Sequence, residues 1–187
     1  ALTGNDNTAV GNEAGSSVTS GANNTALGGY ALRFTTTSSS NTAIGASALT
    51  NNSTGSENSS IGHYSLSNNT TGSNNVALGK SALQENSTAD NNTAVGYKAL
   101  TDNTTGANNV AVGENAAANV TTGGYNVAVG NTALFTNTVS SYNIAIGVGS
   151  LYTNTASYNT AVGTNSLFAN TTGANNTGYG YNSLYAN

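Results

Sequence analysis

The 187-residue chain contains no cysteine, proline, methionine or tryptophan, and only 5% of its residues are charged. Without cysteine there are no disulfides, thiolate metal sites or thiol nucleophiles. Three Lys and Arg against seven Asp and Glu leave a net charge of -4. So small a basic pool cannot build the surface that nucleic acid requires. No apolar run reaches the roughly 18 residues of a membrane helix, so membrane insertion is not expected. Ala1 follows no basic, apolar leader, which suggests a mature or excised segment. What replaces the charge is Asn, Thr, Ser, Gly and Ala. That composition suits either disorder or a chain whose backbone is paired throughout in stacked strands, and internal repeats decide between the two.

The repeat is Asn-x-Ala-(Val/Ile/Leu)-Gly, closing at Gly11, Gly28, Gly45, Gly62, Gly79, Gly96, Gly113, Gly130, Gly147, Gly163 and Gly180. The spacing is 17 at every step except Gly147 to Gly163, where it is 16. Eleven copies in one register make residues 1–187 a single repeat domain, with no separate tip, anchor or catalytic domain expected. Positions are numbered below relative to the repeat glycine.

Position −4 is Asn in all copies: Asn7, Asn24, Asn41, Asn58, Asn75, Asn92, Asn109, Asn126, Asn143, Asn159 and Asn176. Positions −3 to −1 run β-branched, Ala, aliphatic, which predicts a short strand. Position +4 is usually Leu, preceded by Ala or Ser, and is expected to mark a second short strand. The Asn-Thr-Thr-Gly that follows, as at residues 69–72, reads as the turn closing the coil. No copy offers ten residues of helical pattern. The predicted fold is therefore all-β, a parallel β-solenoid (β-roll) of eleven coils of about 17 residues, at about 4.8 Å per coil a rod of roughly 50 Å. In it the Asn column forms a buried ladder bonded amide to amide, and the glycine column a corner of positive φ or close backbone approach. All the charged residues avoid the Asn, Ala, aliphatic, Gly and Leu columns, as an interior ladder demands.

The aliphatic residue at −1 and the Leu at +4 are expected to face inward. That is a thin core, which implies burial against other chains. The Ala columns at −2 and +3 are the faces expected to let a neighbouring backbone approach.

Asn-Thr-Ala-Val-Gly followed by Ala-Leu and Asn-Thr-Thr-Gly resembles the repeat shaft of bacterial and phage tail-fibre-domain proteins. It is similar to the head repeats of trimeric autotransporter adhesins. The resemblance covers the whole chain. It implies a homotrimer of left-handed rolls in a fibre at a virion or bacterial cell surface, hence an extracellular location. The adhesin heads have a shorter coil, so their cross-section does not carry over.

Chemistry is sparse. His63 is the only histidine, and the carboxylates are scattered over different columns, so neither a triad nor a zinc or calcium site is expected. No enzyme activity, cofactor or metal is expected. Gly147-Val148-Gly149 and Gly178-Tyr179-Gly180 belong to the repeat and lack the strand–turn–helix setting of a phosphate loop. The candidate binding surface is aromatic: Tyr125, Tyr142 and Tyr158 in one outer column, and Phe135, Tyr152, Phe168 and Tyr185 in another. Such columns either stack on sugar rings of a surface glycan or receptor, or stack on themselves and on a neighbouring chain, the reading favoured here. The leading expectation is a structural fibre segment whose partner is itself. The alternatives are a homopolymeric extracellular filament built end to end and an ice-binding solenoid. The last rests on the hydroxyl column Thr19, Thr36, Ser53, Thr70, Ser87, Thr104, Thr121, Thr138, Thr155 and Thr171.

Overall fold

A computed structural model describes residues 4–186. It is an all-β parallel solenoid with no helix among the described residues. Eleven three-residue strands follow in chain order: β1 Thr8–Val10, β2 Thr25–Leu27, β3 Thr42–Ile44, β4 Ser59–Ile61, β5 Val76–Leu78, β6 Thr93–Val95, β7 Val110–Val112, β8 Val127–Val129, β9 Ile144–Ile146, β10 Thr160–Val162 and β11 Thr177–Tyr179. They form one sheet in sequence order. Like pairs with like: Ala77 opposes Ala94, and Leu78 opposes Val95. The 16-residue copy keeps this register, with Thr160 opposite Ile144 and Val162 opposite Ile146. Its missing residue is absorbed in the corner between Asn154 and Asn159, where Asn154 Nδ2 reaches the carbonyl of Ala156 at 2.6 Å.

Two expectations about the coil are corrected. The Ala-Leu segment is not a strand but a turn, with the column Leu residues in the left-handed region at φ of 47 to 55°. Positions +2 and +12 are left-handed too, for example Lys98 at 55° and Asn108 at 61°. Three such positions per coil curl seventeen residues round a narrow interior that one strand and several turns can enclose. Each costs a non-glycine residue roughly 1–2 kcal/mol. Coil-to-coil bonds hold them there: Leu83 N–H donates to Ala99 O at 3.0 Å, and Lys98 N–H to Lys80 O at 3.0 Å.

The second correction concerns facing. The middle residue of the strand points in and its two neighbours point out: Ala77, Ala94 and Ala111 are fully buried, whereas Val10, Leu27, Leu78 and Ile146 are exposed. Period-2 alternation holds, but in the opposite phase to the one expected at −1. A coil this narrow has room for a methyl group opposite the +4 Leu, not for a second branched side chain. The Ala at +3 is buried as well, so both Ala columns line the interior rather than a contact between chains. The core is one continuous file of Ala and Leu, with Val120 among them, from Ala26 to Leu167.

The glycine column meets both of its expected requirements. Its φ runs from 116 to 139°, and a Cβ built on Gly96 would lie 2.5 Å from Gly113 O. A side chain is thus refused by conformation and by the next coil together. None of the charged residues is buried.

Candidate functional site

The interior polar columns explain how so thin a core is closed. The −4 Asn residues are buried in every coil from Asn24 to Asn159. Asn58 Oδ1 accepts the backbone N–H of Asn75 at 2.9 Å, and Asn58 Nδ2 donates across the coil to Gly72 O at 2.8 Å. Asn75 repeats the pattern with the N–H of Asn92 and with Ala89 O. The expected amide-to-amide ladder is therefore corrected for this column. Each side chain chiefly joins its own coil's two ends and the next coil's backbone, and amide contacts occur only locally, as from Asn41 to Asn24 at 3.2 Å.

An amide-to-amide ladder does exist one column away, where the turn was expected. Position +7 is Asn52, Asn69, Asn86, Asn103, Asn137, Asn154 and Asn170, all fully buried. Asn69 donates to Asn52 Oδ1 at 2.7 Å, Asn86 to Asn69 at 2.8 Å and Asn103 to Asn86 at 2.9 Å. The same Asn69 amide also donates to Gly72 O at 2.8 Å, the carbonyl that already accepts from Asn58. One carbonyl thus clasps both columns. The recurrence of Asn at +7 was the signal for this ladder.

The +8 hydroxyls are bonded along the rod as well. Ser53, Thr70 and Ser87 each donate to the +8 carbonyl of the following coil at 2.8 to 2.9 Å. These hydroxyls are turned onto the backbone of the rod rather than presented as a free array.

Both aromatic columns stack on themselves. Tyr125, Tyr142 and Tyr158 follow one another at centroid distances of 5.0 and 5.2 Å with planes within 4° of parallel. Phe135, Tyr152, Phe168 and Tyr185 do so at 5.3, 5.0 and 5.1 Å. Ring faces inside a stack are consumed by neighbouring rings, leaving edges and the terminal faces to solvent. His63 is exposed and lies against Tyr64, ring centroids 4.0 Å apart. Near the other end of the rod, Arg33 pairs with Glu13 at 2.6 Å and lies over the rings of Tyr30 and Phe34. Among the described residues, no three His, Cys, Asp or Glu side chains are grouped to hold a metal ion.

An extended uncharged surface lies on the outward face of the strands, opposite to the facing expected for the −1 column. Positions −3 and −1 of all eleven strands share one outward face, from Thr8 and Val10 to Thr177 and Tyr179. It carries no charged residue, and its aliphatic members are substantially exposed, with Leu27 at 47%, Val76 at 41% and Leu78 at 45%. Tyr125, Tyr142 and Tyr158 stand at the corner where the chain enters this face.

No protein-family profile, curated protein or solved structure matches the chain.

Proposed function

We propose that the chain is a structural fibre segment that works as an assembly of copies packed along the outward strand face, a homotrimer displayed at a virion or bacterial cell surface. The observation that carries this reading is the uncharged outward face, aliphatic at −1 except for Tyr179 and a mixture of Thr, Ser, Val and Ile at −3. Eleven strands about 4.8 Å apart and three residues wide project an area of roughly 500 Å² before side-chain relief is counted. A standard interface buries about 800 Å² of accessible surface per partner, so the ladder is of the right order. An uncharged face with a continuous aliphatic row along its length supports an interaction role. A second copy is the occupant that fits best, because only another rod of the same repeat offers apolar side chains at the same spacing along its whole length. Absence of charge across the face removes the repulsion that would otherwise oppose self-association.

Light scattering over a range of concentrations tests the proposal. The expected mass is three times 18.5 kDa, falling to the single-chain value in Val112→Glu with the far-ultraviolet dichroism unchanged. A single-chain mass at every concentration overturns it. A mass climbing with concentration replaces the trimer with an end-to-end filament. The ice-binding alternative is weakened by the engagement of the +8 hydroxyls with backbone carbonyls, and thermal hysteresis in solution would revive it.

A further inference from the structure

The ring column at +5 ends abruptly. Phe135 stacks on Tyr152 through one face, but the coil on its other side carries Ala118 at the same position. That coil therefore offers no ring to cover the second face. The gap is a cleft of about 150 Å³ between Phe135 and Thr101, with Ala118 lining it at 5% exposure. The cleft is open to solvent, so one six-membered ring can enter it by a face while its substituents stay outside. The coil spacing seen between stacked rings, 5.0 to 5.3 Å, sets its thickness to one ring.

The rim of the cleft is polar. Asp102 supplies a carboxylate, Asn115 and Asn119 supply amides, and Lys98 an ammonium. The side chains of Asp102, Asn115 and Asn119 make no hydrogen bond to any described residue, in contrast to the amides of the two ladders. An aromatic platform with acceptors and donors at its edge, one positive and one negative group among them, matches a ring that is apolar on its face, hydroxylated on its rim and uncharged. A partner's aromatic side chain would fill the space but leave the carboxylate and the two amides unused, and a nucleotide would find only Lys98, whose ammonium already lies over the ring of Tyr97, for its phosphate.

We infer that the cleft beside Phe135 is a subsite for one neutral pyranose ring, stacked on the free face of Phe135 and held at its edge by Asp102, Asn115 and Asn119. It lies at the corner between positions +2 and +6, away from the outward strand face, so it does not depend on the fibre proposal.

Saturation-transfer NMR on the full chain is the test, with methyl β-glucopyranoside, methyl β-galactopyranoside and methyl α-mannopyranoside as probes. Transfer to at least one probe is expected. Ala118→Phe should abolish it by extending the ring column into the cleft, a residue type that the same column already holds at Phe135 and Phe168. Asp102→Asn should weaken binding about tenfold or more, the usual effect of losing a charge-assisted hydrogen bond. Phe135→Leu, which keeps an apolar side chain but removes the platform, gives a second reading should Ala118→Phe fail to fold. No transfer to any of the three probes, or transfer that survives Ala118→Phe or Phe135→Leu in folded protein, overturns the inference.

Discussion

Val120 donates its backbone N–H to the carbonyl oxygen of Ala117, 3.1 Å away, and the two residues divide their coil's apolar volume in reverse of the usual order. Most coils place Leu at +4 and Asn at +7; this one places Ala at +4 and Val at +7, both buried. The first coil makes the same exchange with Gly15 and Val18, and a Cβ built on Gly15 would lie 3.8 Å from Val18 Cγ2. The large side chain enters the shared interior from one side or the other. One consequence is electrostatic: Asn103 Oδ1 has no partner, because the neighbouring coil presents Val120 instead of an amide. A cavity of about 220 Å³ lies beside Gly15, lined also by Ala9, Ala14, Val18 and Leu32.

The exchange predicts strong coupling. Ala117→Leu alone should overfill the coil and destabilise by about 1–3 kcal/mol. Val120→Asn alone should leave apolar volume unfilled. The double substitution restores the common pattern and returns a donor to Asn103, so a double-mutant cycle in urea should give a favourable interaction of about 1–2 kcal/mol. Simple additivity would refute the shared-volume account.

Asn92→Ala removes the acceptor for the N–H of Asn109 and the donor to Gly106 O. Gly106 O retains the amide of Asn103, so the principal loss is one orphaned N–H and a small void. The expected cost is about 2–3 kcal/mol. Asn103→Ala loses the amide's bonds to Asn86 Oδ1 and Gly106 O but also removes a buried oxygen that accepts nothing, so it should cost less. Melting curves of the two variants check the order, and equal curves would contradict it.

Ser60 and Ser65 stand where most coils have two Ala residues, with their hydroxyls 2.6 Å apart in the interior. Replacing both by Ala should be neutral or stabilising, whereas Ser60→Ala alone should cost about 1 kcal/mol by breaking the pair. Denaturant midpoints decide the matter. A double variant less stable than the single would show that the pair contributes more than the apolar filling it displaces.

Gly96→Ala places a methyl group 2.5 Å from Gly113 O in a backbone that L residues rarely adopt. The expected result is a break in the stack between adjacent coils, seen as protease cleavage near the substituted coil. A cleavage pattern matching that of the parent chain would argue against the glycine corner.

The periodicity, the strand and the glycine corner were all legible in the sequence, because a position that repeats eleven times exposes its tolerance. The facing of the strand was not. Over three residues, alternation is symmetric between inward and outward, and hydrophobicity pointed the wrong way: the aliphatic −1 column looked like core. The better signal was restriction. Position −2 accepts only Ala, Ser60 and Gly178, whereas −3 ranges from Thr25 to Ser59 to Ile144. An interior limited by space narrows the residue choice more than an exterior limited by solubility. The left-handed turns left a fainter trace in Gly15 at +4 and Gly149 at +2, glycines standing where other coils strain a larger residue. The second Asn ladder was hidden by its resemblance to turn composition. The notch beside Phe135 depended on which column faced which, and no one-dimensional pattern carries that.

The left-handed residues also bear on how the chain reaches its shape. A lone coil would hold three strained positions with no neighbour to bond them, so forming the first pair of coils is an unfavourable nucleation step. Every later coil meets a finished template, whose carbonyls and Asn oxygens already stand at the right spacing. Growth then proceeds by addition, each step closing contacts only about one coil apart in sequence, so the entropy of loop closure does not rise as the rod lengthens. A chain of this kind resembles a one-dimensional crystal: slow to start, quick to extend, and able to fold from its first coils onward while its remainder is still being made.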